Sequence, residues 1–179
     1  MIIAIGGPPG SGKTTVAERL AEGFGYALVS AGARFREMAK ARGMDILAFS
    51  RAAEADPGID RELDRLVLEE VLRRDAMGDD IVVDGRIQAY LLSQRRIPCL
   101  KVWIDAPVDV RARRVEERER GSAAAARHEI EVRERSERTR YREVYGIDLD
   151  DRGVYDLVVD SSEKTPERIV ETILARVAG

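Results

Sequence analysis

Short apolar runs alternate with long segments of helical periodicity along this chain. Five runs rich in β-branched residues stand out: Ile2–Ile5, Tyr26–Val29, Ile81–Val83, Leu100–Ile104 and Leu157–Val159. They are nearly continuous in hydrophobicity, as expected of strands buried on both faces of a parallel sheet. Between them, Val16, Ala17, Leu20, Ala21 and Phe24 recur at helical spacing, as do Ile59, Leu63, Leu66, Val67 and Val71. A last helix is predicted from about Thr165 to Val177, with Pro166 suited to its first turn. Strands alternating with helices predict a three-layer α/β/α fold around a five-stranded parallel sheet.

Two segments are too long for simple connections. Residues 32–77 have room for about three helices between the second and third strands. Residues 108–145 read as two charged helices broken at Gly121–Ala126. One domain is expected, with a helical insert at about 32–77 and a lid at about 119–135.

Composition narrows the function. The 179 residues are 44% hydrophobic and 35% charged, with a net charge of −3 and a pI near 5.4. That balance argues against general nucleic-acid binding. No run approaches the ~20 apolar residues of a membrane span. Cys99 is the sole cysteine, so no intrachain disulfide is possible, and a soluble cytoplasmic protein is expected. Charge is unevenly spread: Arg111 to Arg142 holds 11 arginines against 7 acidic residues.

The first strand runs into Gly7-Pro8-Pro9-Gly10-Ser11-Gly12-Lys13-Thr14, a full G-x-x-x-x-G-K-[ST] motif with a helix after it. Small residues let backbone N–H groups turn inward around phosphate oxygens, and the helix directs its positive end at the same anion. Lys13 adds a compact cation, and the Thr14 hydroxyl suits Mg²⁺. A nucleoside triphosphate is expected here, with Thr15 completing the loop.

Asp84 closes the third strand, at the carboxyl edge where ligands of parallel sheets bind, and is a second candidate for the metal. Gly85 and Arg86 follow at the same edge. Ser30 and Gly32 leave the second strand, and Arg36 lies early in the next helix. Two arginines at neighbouring strand ends suit a second phosphate, which the guanidinium fork grips in two places. In the cationic stretch, Arg114 and Arg118 share a helix face, as do Arg135, Arg138 and Arg142. A flap of arginines closing over phosphates would stabilise transferring charge and exclude water. His128, the only histidine, is expected to be a solvated lid residue.

Together, "GGPPGSGKTT", "SAGARFRE", "RGMDILAFSRAAEADPGIDRELD", "VVDGR", "VWIDAPVDVRARRVEERE" and "RERSERTRYREVYGIDLDDRGVYDLVVDSS" resemble archaeal-type cytidylate kinases, members of the P-loop nucleoside monophosphate kinases. The resemblance spans nearly the whole chain. It implies transfer of the ATP γ-phosphate to CMP, and to dCMP, with Mg²⁺ as cofactor. From composition no nucleic-acid or membrane partner is expected, and a monomer is expected. On the resemblance, Lys13 and its loop hold ATP, flanked by Arg114 and Arg118. Arg36 and Arg86 grip the acceptor phosphate, with Ser30, Gly32, Gly85 and Arg138 beside them. Arg135 and Arg142 reach the transferring group. For the base, Asp56, Asp60 and Asp64, with Arg61 or Arg138, all remain open.

Other readings are weaker. Adenylate kinases usually carry D-G-x-P-R after the third strand, whereas Arg86 directly follows Gly85 here. A shikimate-type enzyme lacks the long helical insert. A GTPase switch needs N-K-x-D, a tetrapeptide this sequence does not contain. UMP stays open as an acceptor.

Overall fold

The computed structural model describes residues 1–119 and 122–178, the side chains of 118 and 119 excepted. The order is β1 (Ile2–Gly6), α1 (Lys13–Phe24), β2 (Ala27–Ser30), α2 (Ala31–Ala41), α3 (Ile46–Ala55), α4 (Pro57–Ala76), β3 (Ile81–Asp84), α5 (Gln88–Gln94), β4 (Leu100–Asp105), α6 (Val108–Glu119), α7 (Ala123–Tyr145), β5 (Leu157–Asp160) and α8 (Pro166–Ala178). All five strands pair in parallel, in the order β2-β3-β1-β4-β5. The predicted sheet is present; β1, β3, β4 and β5 each run one residue further than expected, and β2 is shifted by one residue toward the C-terminus.

Both sheet faces are buried. Ile3, Ile5, Val82, Val102 and Ile104 pack against Val16 and Leu20 of α1 and Ile169 and Ile173 of α8. Ile2, Ala4, Ile81 and Val83 face the other way, onto Met38, Phe49, Leu63 and Val67 of the insert helices. Strand periodicity thus sends alternate residues into two cores. Ile3 and Ile173 are fully enclosed, and truncating either to alanine should cost about 2–5 kcal/mol.

The helices begin where local chemistry favours it. Ser30, Asp45 and Asp56 cap α2, α3 and α4 by accepting from Ala33, Ala48 and Gly58 N–H. Ser122 caps α7, so the alanine run continues as helix and the break is shorter than expected. That helix runs unbroken to Tyr145, well beyond the expected lid boundary at about 135, and Gly146 ends it in a left-handed conformation.

Strand register sets up the site. Ile5 and Ser30 both stand opposite Asp84. The end of β1, the start of α2 and the carboxylate of β3 therefore share one edge of the sheet.

Candidate active site

A cleft of about 550 Å³ opens at that edge. Of the residues expected from sequence, Pro9, Gly10, Gly12, Lys13, Thr14, Thr15, Gly32, Arg36, Asp84, Gly85 and Arg86 line it. Gly7, Pro8 and Ser11 are buried behind its surface. Asp56, the N-cap of α4, and Arg61 are exposed and away from the cleft.

The loop after β1 is held from outside by its carbonyls. Arg111 Nη1 donates to Pro9 O at 3.1 Å and Arg111 Nε to Ala106 O at 2.9 Å. Arg114 Nη1 donates to Ser11 O at 3.2 Å, and Ser161 Oγ to the same oxygen at 2.8 Å. Carbonyls tied down this way leave the loop's N–H groups to face an anion, forming a backbone nest. Gly10 makes the turn possible: at φ +80° its missing Cβ would lie 2.9 Å from Arg111 O. Arg114, expected beside ATP, therefore braces the backbone of this loop. The side chain of Arg118, expected beside it, lies outside the described residues.

Lys13 opens α1 beneath the loop. Burial lowers its pKa, and the charges of Arg86 and Arg133 push the same way, against Asp84 and Glu137. Thr14 Oγ1 donates to Asp84 Oδ2 at 2.8 Å, and Ser30 Oγ donates to the same oxygen at 3.3 Å. Asp84 Oδ1 is buried and has no hydrogen-bond partner among the described residues. A hydroxyl beside a carboxylate with a free oxygen is a fitting donor set for a hard cation such as Mg²⁺, which keeps water and phosphate oxygens as its other ligands. Among the described residues, no three His, Cys, Asp or Glu side chains gather around a metal position.

Across the cleft, Arg86 Nε donates to Glu137 Oε2 at 2.5 Å, and both side chains are about nine-tenths buried. Arg86 Nη1 is buried without a partner among the described residues, and Trp103 lies under the guanidinium at 5.8 Å. Burial raises the Glu137 pKa, but Arg86, Arg133, Lys13 and Arg140 together outweigh it and hold the carboxyl below the usual range. Four cations converge on one acid in an enclosed space. Such a site is suited to a polyanion.

Helix α7 presents a different face from the one expected. Arg133, Glu137 and Arg140 line the cleft, with Ser136 and Tyr141. Arg135, Arg138 and Arg142 are exposed; Arg138 pairs with Asp150, and Arg142 is 3.5 Å from Asp148. The physical reason is the helix turn of about 100° per residue, which sets Arg135 roughly opposite Arg133. Both triplets have helical spacing, so only the packing of Ile130, Ser136 and Tyr141 against the protein decides which faces inward. Arg135 and Arg142, expected at the transferring group, therefore lie away from the cleft, and Arg133 and Arg140 line it instead. Arg140 also lies 3.4 Å from Asp60, an acid with no exposed surface.

Sequence reasoning also missed Arg111, Glu137, Gln88 and Tyr145. Arg111 stands three residues before Arg114, a spacing that places both on the face turned to the loop. For Glu137 and Gln88 the sequence carries no comparable signal. The insert side of the cleft is lined by Phe35, Ile46, Leu63, Asp64 and Gln88. Of the three aspartates left open for the base, Asp60 and Asp64 are buried, and Asp64 reaches this lining.

The chain resembles known proteins over nearly its full length. A cytidylate kinase of Halobacterium salinarum is 43% identical over 177 residues, covering 99% of this chain and 89% of that protein. One from Methanothermobacter thermautotrophicus is 47% identical over 165 residues, covering 90% and 96%. Shikimate kinase from Acinetobacter baumannii shares the fold, with a TM-score of 0.61 at 19% identity, over 99% of this chain and 92% of that one. The model of the cytidylate kinase-like family matches residues 2–163, and this chain belongs to that family.

Proposed function

We propose that this chain transfers the γ-phosphate of ATP to CMP, and to dCMP, giving ADP and the nucleoside diphosphate. One observation carries the reading: the triphosphate loop with Lys13 and a second cationic set, Arg36, Arg86, Arg133 and Arg140, line a single cleft. A protein that only held a nucleotide would need the first set alone. Kinship to the cytidylate kinases supports CMP as acceptor.

The residues divide the work. Lys13 and the loop N–H groups hold the donor phosphates. Arg36 and Arg86 grip the acceptor phosphate, while Arg133 and Arg140 of α7 neutralise charge between them. The acceptor phosphate is already ionised, so positioning and charge stabilisation suffice and no general base is required. Thr14 and Asp84 would hold Mg²⁺, which when bound neutralises phosphate oxygens. A closed lid keeps out water, the competing acceptor. Both cationic sets come from one chain, which supports a monomer. The lone cysteine suits a reducing compartment such as the cytoplasm. Among the described residues no helix is long and apolar enough to cross a membrane.

The test is a coupled ADP-release assay with ATP, Mg²⁺ and a panel of CMP, dCMP, UMP, AMP and shikimate. ADP release dependent on CMP is expected. Release that is equal without acceptor, or driven only by shikimate, overturns the proposal.

A further inference from the structure

The insert side of the cleft sets two polar side chains between apolar walls. Phe35, Ile46 and Leu63 supply apolar walls, and Asp64 and Gln88 supply the polar atoms between them. Both polar side chains are nine-tenths or more buried. Each is fixed from more than one direction.

Gln88 has one orientation. Its Oε1 accepts from Ile87 N–H at 3.1 Å and its Nε2 donates to Asp64 Oδ1 at 3.1 Å. Flipping the amide would set two donors together at Ile87 and two acceptors together at Asp64, so the network settles the assignment. Gly85 makes room for it: a Cβ there would lie 1.8 Å from Gln88 Oε1. Asp64 is held in turn by Tyr145, whose hydroxyl donates to Oδ2 at 2.6 Å. Tyr145 comes from the last turn of α7, so the lid helix and the insert both position this carboxylate.

The pair therefore offers the cleft an acceptor, from Asp64, next to a donor, the second N–H of Gln88. Cytosine presents the complement, an exocyclic 4-amino donor beside the N3 acceptor. Uracil presents the reverse, a 4-oxo acceptor beside an N3–H donor, and would meet like against like at both positions. Building on the acceptor class proposed above, we infer that Asp64 and Gln88 read the 4-amino/N3 edge of the acceptor base, with Tyr145 as a positioning residue. Adenine shows the same donor–acceptor order, so the pair separates amino from oxo bases, and the walls of Phe35, Ile46 and Leu63 set the ring size.

Asp64 accepts from an amine best when ionised. Burial raises its pKa to about 7, with Asp60 pushing the same way; the Tyr145 hydrogen bond, Arg140 and Arg95 oppose the rise. Tyr141 also faces it from α7. Removing the Tyr145 hydroxyl takes away a contact that favours the charged form. Discrimination should then develop at higher pH.

The experiment measures kcat/KM for CMP and UMP in the wild type, Asp64→Asn and Tyr145→Phe, from pH 5.5 to 9. An asparagine amide can donate to a 4-oxo group. The CMP/UMP ratio should fall about 100-fold in Asp64→Asn, the scale expected when a site's hydrogen-bonding partner is mismatched. In Tyr145→Phe the ratio should survive at high pH, with its rise displaced upward. If Asp64→Asn does not fold, Gln88→Met tests the donor half, and the same ratio should drop at least tenfold. A wild type that uses CMP while folded Asp64→Asn and Gln88→Met keep its ratio within threefold overturns the assignment alone. A wild type that phosphorylates no nucleoside monophosphate overturns the function on which it rests.

Discussion

Arg86 and Glu137 meet at 2.5 Å in the middle of the cleft, one leaving the end of β3 and the other carried on α7. The pair ties the sheet edge to the lid helix. It also neutralises part of a strongly cationic space. Removing one partner of a buried ion pair leaves uncompensated charge and costs about 3–5 kcal/mol. Glu137→Gln should therefore lower the melting temperature of the ligand-free protein. An anion in the cleft can take over the role of the carboxylate. Saturating CMP should consequently raise the melting temperature of Glu137→Gln by more than it raises that of the wild type. Equal shifts in the two proteins, read by differential scanning fluorimetry, would show that Glu137 does not balance the phosphate-binding cations.

Lys13 is placed for an anion, and its position costs stability when no anion is bound. Its pKa is lowered chiefly by burial. A lysine whose pKa falls on folding destabilises the fold wherever it is charged in the unfolded chain, which includes neutral pH. Lys13→Met should melt higher than the wild type near pH 7, and turnover should fall by about 100-fold or more because a charge contact to the transferring phosphate is lost. A variant with wild-type turnover would remove Lys13 from the mechanism.

The two faces of α7 make opposite predictions. Arg133 points into the cleft, so Arg133→Ala should lower kcat by at least about tenfold with a smaller effect on KM, the pattern of a contact made mainly in the transition state. Arg135 points outward, and Arg135→Ala should stay within about twofold of wild type in kcat and within about 0.5 kcal/mol in stability, as for most exposed positions. The reverse ranking would mean that the helix rotates when substrate binds.

What the sequence could reveal depended on whether the signal was local. The five strands were legible because each is a contiguous run. The triphosphate loop was legible because its glycines, lysine and threonine act within eight residues. Asp84 and Arg86 were placed by a rule about strand ends, which the register of Ile5 and Ser30 against Asp84 satisfies. The lid arginines were not resolved, because helical spacing defines a face without saying which way it turns. Asp64, Gln88 and Tyr145 come from three helices, and their contacts span 24 and 81 residues of chain. No local pattern encodes a meeting of that kind. Arg111 meets Pro9 across 102 residues of chain, a contact equally absent from any local pattern.

Asp64 also leaves a signature in stability that does not depend on turnover. Its pKa is about 7 in the folded protein against an ordinary 3.8, with burial as the main cause. The folded state thus binds a proton more tightly than the unfolded chain, and the stability this confers is fully present below about pH 4. As pH rises from 4 to 7 the unfolded chain ionises first, and the advantage is lost. Each pKa unit corresponds to about 1.4 kcal/mol, so the wild type should lose on the order of 2–4 kcal/mol across this window through this group. Asparagine does not titrate. The melting temperatures of wild type and Asp64→Asn should differ little in their pH trend below pH 4. By pH 8 the variant should have gained several degrees on the wild type, at about 2–4 °C per kcal/mol for a chain of this size. Comparing the two proteins cancels the titrating groups that do not interact with Asp64, and leaves Asp60 as the neighbouring carboxyl coupled to it. A difference in melting temperature that stays constant from pH 4 to pH 8 would show that Asp64 ionises in the folded protein as it does in the unfolded chain.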